Sequence, residues 1–403
     1  MNILIKQILL GILTALLFSA FIYFQEYNLT NKFINTFFGL LSLTLLLYIS
    51  KRSILVTGFS IGILWFYWIG YSFEYQGVGY MMPIITLGFG VLYLLFFLPL
   101  YFTNKVYLRA LLLFGLSFIE PFDWNWLQIE LLFVDSYIGV YKYQLFLVLL
   151  GLSLFDYIHL KKGQNLLALV FIIAAFNYGY PTQNDSQLKI KLVQTEIKQE
   201  DKWTKSALLP TVNLVYKEIQ KATTEGYDLV VFPESVFPLY MNRSPKLMQQ
   251  ILLASHSIDI IAGSLLRQNN QNYNVTYYFE NGNYHIAKKL VLVPFGEYIP
   301  LPKFMRRIIN DTFFSGASDF VTAQEPTDFT IKGVKFRNAI CYEATCQEIY
   351  EGDVDFVLAT SNNAWFAPSI EPTLQKLLMR YYARKNGVTI YHAANYKGTG
   401  VIK

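Results

Sequence analysis

Between Ile3 and Gly179 the sequence is a succession of apolar runs separated by short polar breaks. A hydrocarbon layer of about 30 Å needs roughly 20 apolar helical residues, with about 17 to 25 tolerated. The runs at about 3–24, 33–50, 53–73, 80–102, 106–120, 143–159 and 164–179 therefore predict about seven transmembrane helices. The fifth is the shortest. Composition agrees: only 15% of the 403 residues are charged, against about 25% in ordinary soluble domains. The deficit is concentrated before Tyr180.

The first run contains Lys6 and a small-residue step, "FSA" at 18–20, which would also suit a cleavable signal. It continues to Phe24 and more runs follow, so an uncleaved helix is expected. Between the fifth and sixth runs, "EPFDWNWLQIELLFVDSYIGVYK" mixes four acids with aromatics, which predicts a segment lying at the membrane surface. Loop charges set the orientation. With the N-terminus inside, Lys6, Lys51, Arg52, Lys105, Arg109, Lys161 and Lys162 flank the inner side, and only Lys32 and Lys142 the outer. That positive-inside bias, with seven spans, delivers the C-terminal half to the outer face.

Proline and small polar residues in "YGYPTQNDSQ" (178–187) break the last run. The chain reads as a transmembrane helical domain, 1–180, and a globular domain, 187–403. In the second, 188–197, 227–234, 258–266 and 354–362 are apolar and β-branched, as buried strands are. A helix from Ala207 stops at Gly226. This alternation predicts layered α/β architecture.

Functional side chains in such folds gather where strands end. Glu234 ends one apolar run, in "VVFPESVFP", where partial desolvation favours a general base. Lys288 and Lys289 lie beside another, followed by Glu297; Cys341 ends a third, in "FRNAICYEATC". The chain has two cysteines, 341 and 346. A buried thiol, a disulfide and an activated nucleophile all fit that spacing by itself. A thiol needs a base or a cation to become an effective nucleophile, and a glutamate and a lysine at neighbouring strand ends would supply both.

Glu234 in "FPES", Lys289 eight residues before the glutamate of "LVPFGEYIP", and Cys341 in "CYE" resemble the Glu-Lys-Cys triad of the nitrilase (carbon–nitrogen hydrolase) superfamily. "LVPFGEYIP" itself, "LVQTEIKQEDKW", Tyr273-Asn274 and "SNNAWF" (361–366) resemble more narrowly the bacterial apolipoprotein N-acyltransferases, which also place several membrane helices before a nitrilase-like domain. The resemblance implies an α-β-β-α sandwich, with Cys341 as nucleophile, Glu234 as base and Lys289 as oxyanion stabiliser. It implies supporting roles for Glu297, Tyr342 and Glu343, and a lipid-facing role for Trp365, extended here to Phe366. It implies an acyl chain moved from a membrane phospholipid, through a cysteine thioester, to the α-amino group of diacylglyceryl-cysteine in apolipoproteins. No cofactor is implied. The bacterial inner membrane is the implied location, with the globular domain on its outer face. Under this reading Cys346 is an inert buried thiol, and "NDTFFSGASDF" (310–320) is a candidate lipid entrance.

The sequence departs from the family at Asn363, where aspartate is usual, at Lys385 and Val388, where a glutamate and an arginine are usual, and in stopping at Lys403 before the family's last strands and eighth membrane helix. A tethered amidase using water as acceptor needs the same triad and remains the alternative. A non-enzymatic membrane protein with a binding domain is the third reading. Four histidines without metal-ligand spacing give no metal site, and no basic stripe points to nucleic acid. Nothing in the sequence fixes an oligomeric state.

Overall fold

The computed structural model describes residues 2–75, 77–155, 162–294, 297 and 320–403. They form two compact units, Met1–Tyr180 and Pro181–Lys403.

Each of the seven apolar runs carries a helix. In the first unit these are α1 (Ile3–Glu26), α2 (Lys32–Tyr48), α3 (Lys51–Phe66), α4 (Met82–Phe97), α5 (Val106–Leu116), α6 (Lys142–Leu154) and α7 (Lys162–Ala174). Among the described residues, three stretches are long and apolar enough to cross a membrane: Ile3–Glu26, Lys51–Phe73 and Gly79–Phe102, the last two including flanking 3-10 turns. The helices Lys32–Tyr48, Val106–Leu116 and Lys142–Leu154 are apolar but shorter. Glycines set the closest helix approaches. A β-carbon on Gly62 would lie 2.2 Å from the Phe89 carbonyl oxygen, so α3 and α4 meet backbone to backbone there. Arg109, almost wholly buried on α5, donates to the carbonyls of Leu47 and Ile49 at the end of α2 and to that of Thr103. Helix-end carbonyls left without partners are what such a cation satisfies.

The segment between α5 and α6 packs into the helical unit. Residues 124–136 are all buried within the helical unit instead of lying along its surface. Trp124 and Trp126 pack on Trp68, with ring centroids 6.3 and 5.1 Å away. Glu130, fully buried, pairs with Lys142 at 2.6 Å. Irregular backbone is tolerated at membrane depth when protein surrounds it, and the aromatics that suit an interface also suit a core. Composition cannot separate the two.

Among the described residues, the second unit holds two five-stranded sheets, ordered β1-β2-β3-β4-β5 and β10-β9-β8-β7-β6. In the first, β1 (Ile190–Leu192), β2 (Leu229–Val231) and β3 (Asp259–Gln268) run parallel, and β4 (Gln271–Glu280) and β5 (Asn283–Lys288) follow antiparallel. In the second, β7 (Val334–Ile340), β8 (Phe356–Asn362) and β9 (Thr389–Asn395) are parallel, edged by antiparallel β6 (Asp328–Ile331) and β10 (Gly400–Ile402).

Alternation along the strands builds the layers. Leu229, Val231 and Ile261 pack against Phe336, Leu358, Tyr391 and Ala393 of the other sheet. After β1 comes a single turn, α8 (Gln199–Lys202), and then the longer α9 (Lys205–Thr224). Val230, Ile260 and Ala262 face away from the second sheet, onto Val215 and Ile219 of α9 and Ile251 of α10 (Pro245–Ala254). On the far side α11 (Glu371–Asn386) packs against β9 and β10. The α-β-β-α sandwich expected from the resemblance is the observed architecture.

Candidate active site

The ends of β2, β5, β7 and β8 converge. Glu234 stands three residues beyond β2, in a bend that a close approach makes possible. A β-carbon on Gly263 would lie 2.4 Å from the Ser235 nitrogen and 2.7 Å from the Glu234 Cα, so only glycine lets β3 pass there. Ser235 has φ +47°, a left-handed conformation that non-glycine residues adopt at an energetic disadvantage. The Glu234 carboxylate is buried and held at both oxygens. Oε1 accepts from Asn274 Nδ2 at 2.8 Å, and Oε2 from the Asn362 backbone N–H at 3.0 Å.

Lys289 follows the last residue of β5, and its backbone N–H still donates to the Asn274 carbonyl at 2.9 Å. Strand alternation therefore continues through it. Lys289 is 1% exposed, while Lys288 points away to Gln268 Oε1 at 2.9 Å and lies over the Tyr273 ring. The Lys289 ammonium contacts Glu297 at 2.8 Å (Oε1) and 2.7 Å (Oε2), and lies 3.9 Å from Glu234 Oε1. Burial works against its charge, but Glu297 and Glu234 outweigh that and raise its pKa.

Cys341 begins a 3-10 turn directly after β7, with φ +58°. Its thiol pKa is pushed well up, first by burial and then by Glu234, with Lys289 acting in the opposite direction. Activating this thiol therefore calls for a base and a cation. The residue keeps partial exposure, and both cysteines are free. Cys346 is buried, with its sulfur directed at the Tyr342 carbonyl 3.4 Å away.

Glu343 is a brace between two loops. One carboxylate oxygen accepts from the N–H groups of Leu290 and Val291 (the second at 3.0 Å), and the other accepts from Ile340 N at 2.5 Å. It thereby ties the chain after Lys289 to the turn that carries Cys341. Burial pushes its pKa up to about 7, opposed by Lys289 and by those three N–H donors. Glu343→Gln would turn an NH2 group towards a buried donor. Because an unsatisfied buried group costs about 1–3 kcal/mol, thermal unfolding of this variant should show destabilisation of that order. An unchanged melting temperature would remove the brace from consideration.

Glu234, Lys289, Glu297, Cys341 and Glu343 are thus brought into one cluster, and Tyr342 is buried in the Cys341 turn. Trp365 and Phe366 are half-buried in the 3-10 turn Asn363–Phe366. They follow Asn362 by three and four residues. Residues 310–319 of the expected lipid entrance lie outside the described residues.

Sequence reasoning assigned no role to Lys202, Asn274, Asn362 or Glu371. Lys202, Asn274 and Asn362 lay within stretches already singled out, and the two asparagines hold the Glu234 carboxylate. Glu371, at the start of α11, is buried, with its pKa raised by burial and then by Glu234.

Comparison with known proteins decides the family. The model for the apolipoprotein N-acyltransferase integral membrane domain matches residues 5–178, and that for carbon–nitrogen hydrolases matches 189–399. An apolipoprotein N-acyltransferase of Wolinella succinogenes is 40% identical, over 98% of this chain and 96% of its own length. The chain belongs to the apolipoprotein N-acyltransferase family. Other relatives with that name come from Helicobacter hepaticus (36% identical, 90% of this chain and 92% of the relative) and Campylobacter jejuni (33%, 100% and 90%). In this family member the membrane-domain match ends, and the hydrolase match begins, on either side of the proline break at 181.

Proposed function

We propose that this membrane-embedded chain moves an acyl chain from a phospholipid to the α-amino group of diacylglyceryl-cysteine in apolipoproteins, through a thioester on Cys341. The observation that carries the reading is the cluster itself: a carboxylate, a buried ammonium and a thiol at three strand ends of one sandwich, in a member of this family. Glu234 takes the thiol proton as the sulfur attacks the ester carbonyl. Lys289, its charge secured by Glu297, faces the oxyanion. Collapse expels the lysophospholipid alkoxide, which recovers the proton from Glu234. A neutral α-amine then attacks the thioester, its proton passes by way of Glu234 to the departing sulfur, and an amide is released. This is ping-pong acyl transfer. Glu343 and Tyr342 shape the turn, and Trp365 and Phe366 are assigned to the lipid side.

Incubation with phospholipid and a synthetic diacylglyceryl-cysteine peptide should yield the N-acylated peptide and lysophospholipid in equal amounts. Free fatty acid without amide would favour the water-using amidase instead.

Orientation belongs to the same reading: seven spans, an inner-membrane location and the second unit on the outer face. It rests on the lysine and arginine bias of the loops. In a background lacking Cys341 and Cys346, a cysteine at exposed Lys246 should react with an impermeant maleimide added outside intact spheroplasts. Reaction only after lysis would reverse the topology.

A further inference from the structure

One buried cation beside the cluster has no part in that mechanism. Lys202 ends the four-residue helix α8 and is only 1% exposed. Its ammonium donates to the main-chain oxygen of Glu234 at 3.0 Å. From the other end of the same turn, Gln199 Oε1 accepts from Asn362 Nδ2 at 2.9 Å, and the Asn362 N–H holds Glu234 Oε2. One turn of chain therefore grips Glu234 twice, at its backbone through Lys202 and at its carboxylate through Asn362.

We propose that Lys202 is a positioning residue of the acylation step, fixing the strained Glu234–Ser235 bend and lending the thiolate state a second positive charge. The proposal rests on the acyl-transfer reading of the same site.

Burying an ammonium is unfavourable unless a partner or a function compensates, and a neutral side chain could hold one carbonyl at lower cost. Charge is the reason to use lysine here. When the thiol proton moves to Glu234, the negative charge moves to Cys341. Lys289 then acts on the sulfur, and Lys202 is a second ammonium under the influence of Cys341. Burial pushes the Lys202 pKa down to about 8, while Glu234 and Cys341 act to retain its proton. Lys289, Glu371 and Glu297 are the other groups acting on the thiol, and Glu343 acts on Lys289.

The test uses the full-length chain with Cys346→Ala, in detergent micelles containing phosphatidylethanolamine. Lys202→Gln keeps a donor for the Glu234 carbonyl and removes the charge. Loss of one nearby charge shifts a pKa by about one unit or more, so at pH 7, where Lys202 still holds its proton, alkylation of Cys341 by iodoacetamide should slow about tenfold. Acylation of Cys341 should slow about tenfold near neutral pH, following the thiolate fraction. Lys202→Met should be at least as slow, and Lys202→Arg, which keeps charge and donor, should hold the native rates. A Gln variant with native alkylation and acylation rates at pH 7 overturns the proposal. So does an Arg variant slowed as far as Met, a comparison that stands even where the Gln variant does not fold. Alkylation needs no lipid. A native chain that alkylates normally but never acylates would therefore count against acyl transfer, while the alkylation rates at pH 7 still report on Lys202.

Discussion

Cys341→Ala should leave a folded protein that forms no acyl-enzyme and transfers no acyl chain, whereas Cys346→Ala should stay close to native. The two thiols are five residues apart and differ in every respect that matters for attack. Cys341 opens a turn at the end of a parallel strand, with Glu234 and Lys289 acting on its sulfur. Cys346 is enclosed, its sulfur aimed at the Tyr342 carbonyl. In a ping-pong route the first covalent bond is made by this one sulfur, so alanine removes the route. Cys341→Ser should also fail at acylation, because a hydroxyl ionises far less readily than the thiol the site is built around. Intact mass and peptide N-acylation assays read both effects. Equal losses from the 341 and 346 variants would mean that the pair matters for structure.

Lys289→Met should slow acylation about 10²- to 10³-fold, the usual consequence of removing one preorganised oxyanion donor. It should also raise the pH at which Cys341 is alkylated. The sign follows from the site: Lys289 lowers the thiol pKa against burial and Glu234, so its removal strengthens the raising influences. Lys288→Met is the control. Its ammonium is bound to Gln268 and lies over Tyr273, on the other side of the strand, and its loss should change neither rate nor midpoint. Rates and midpoints responding in the reverse order would place the wrong lysine in the site.

Much of this was legible in the sequence because it depends on local pattern. Apolar length marked each helical run of the first unit. Alternation marked the buried strands of the second, and "LVPFGEYIP" with "CYE" pointed to the residues that cluster. What escaped depends on contacts distant in sequence. The strand expected over 188–197 pairs regularly only at Ile190–Leu192, because the chain then turns towards Asn395, which bonds Thr195 and both backbone groups of Ile197. The aromatic, acidic segment before α6 has an interfacial composition, but Trp68 and Lys142 give its tryptophans and Glu130 partners inside the unit. No local pattern marks Lys202, within "LVQTEIKQEDKW", or Glu371 as buried. Their burial becomes evident only when α8 meets the end of β2 and α11 meets the Cys341 turn.

The most direct test is intact mass spectrometry of the full-length chain after incubation with a single defined phospholipid and no acceptor. The expected result is a mass increase equal to one acyl group, mapped to the peptide containing Cys341, sensitive to hydroxylamine and discharged by a diacylglyceryl-cysteine peptide. No adduct on native protein that still N-acylates the peptide, or an adduct mapped to any residue other than Cys341, would contradict transfer through a Cys341 thioester.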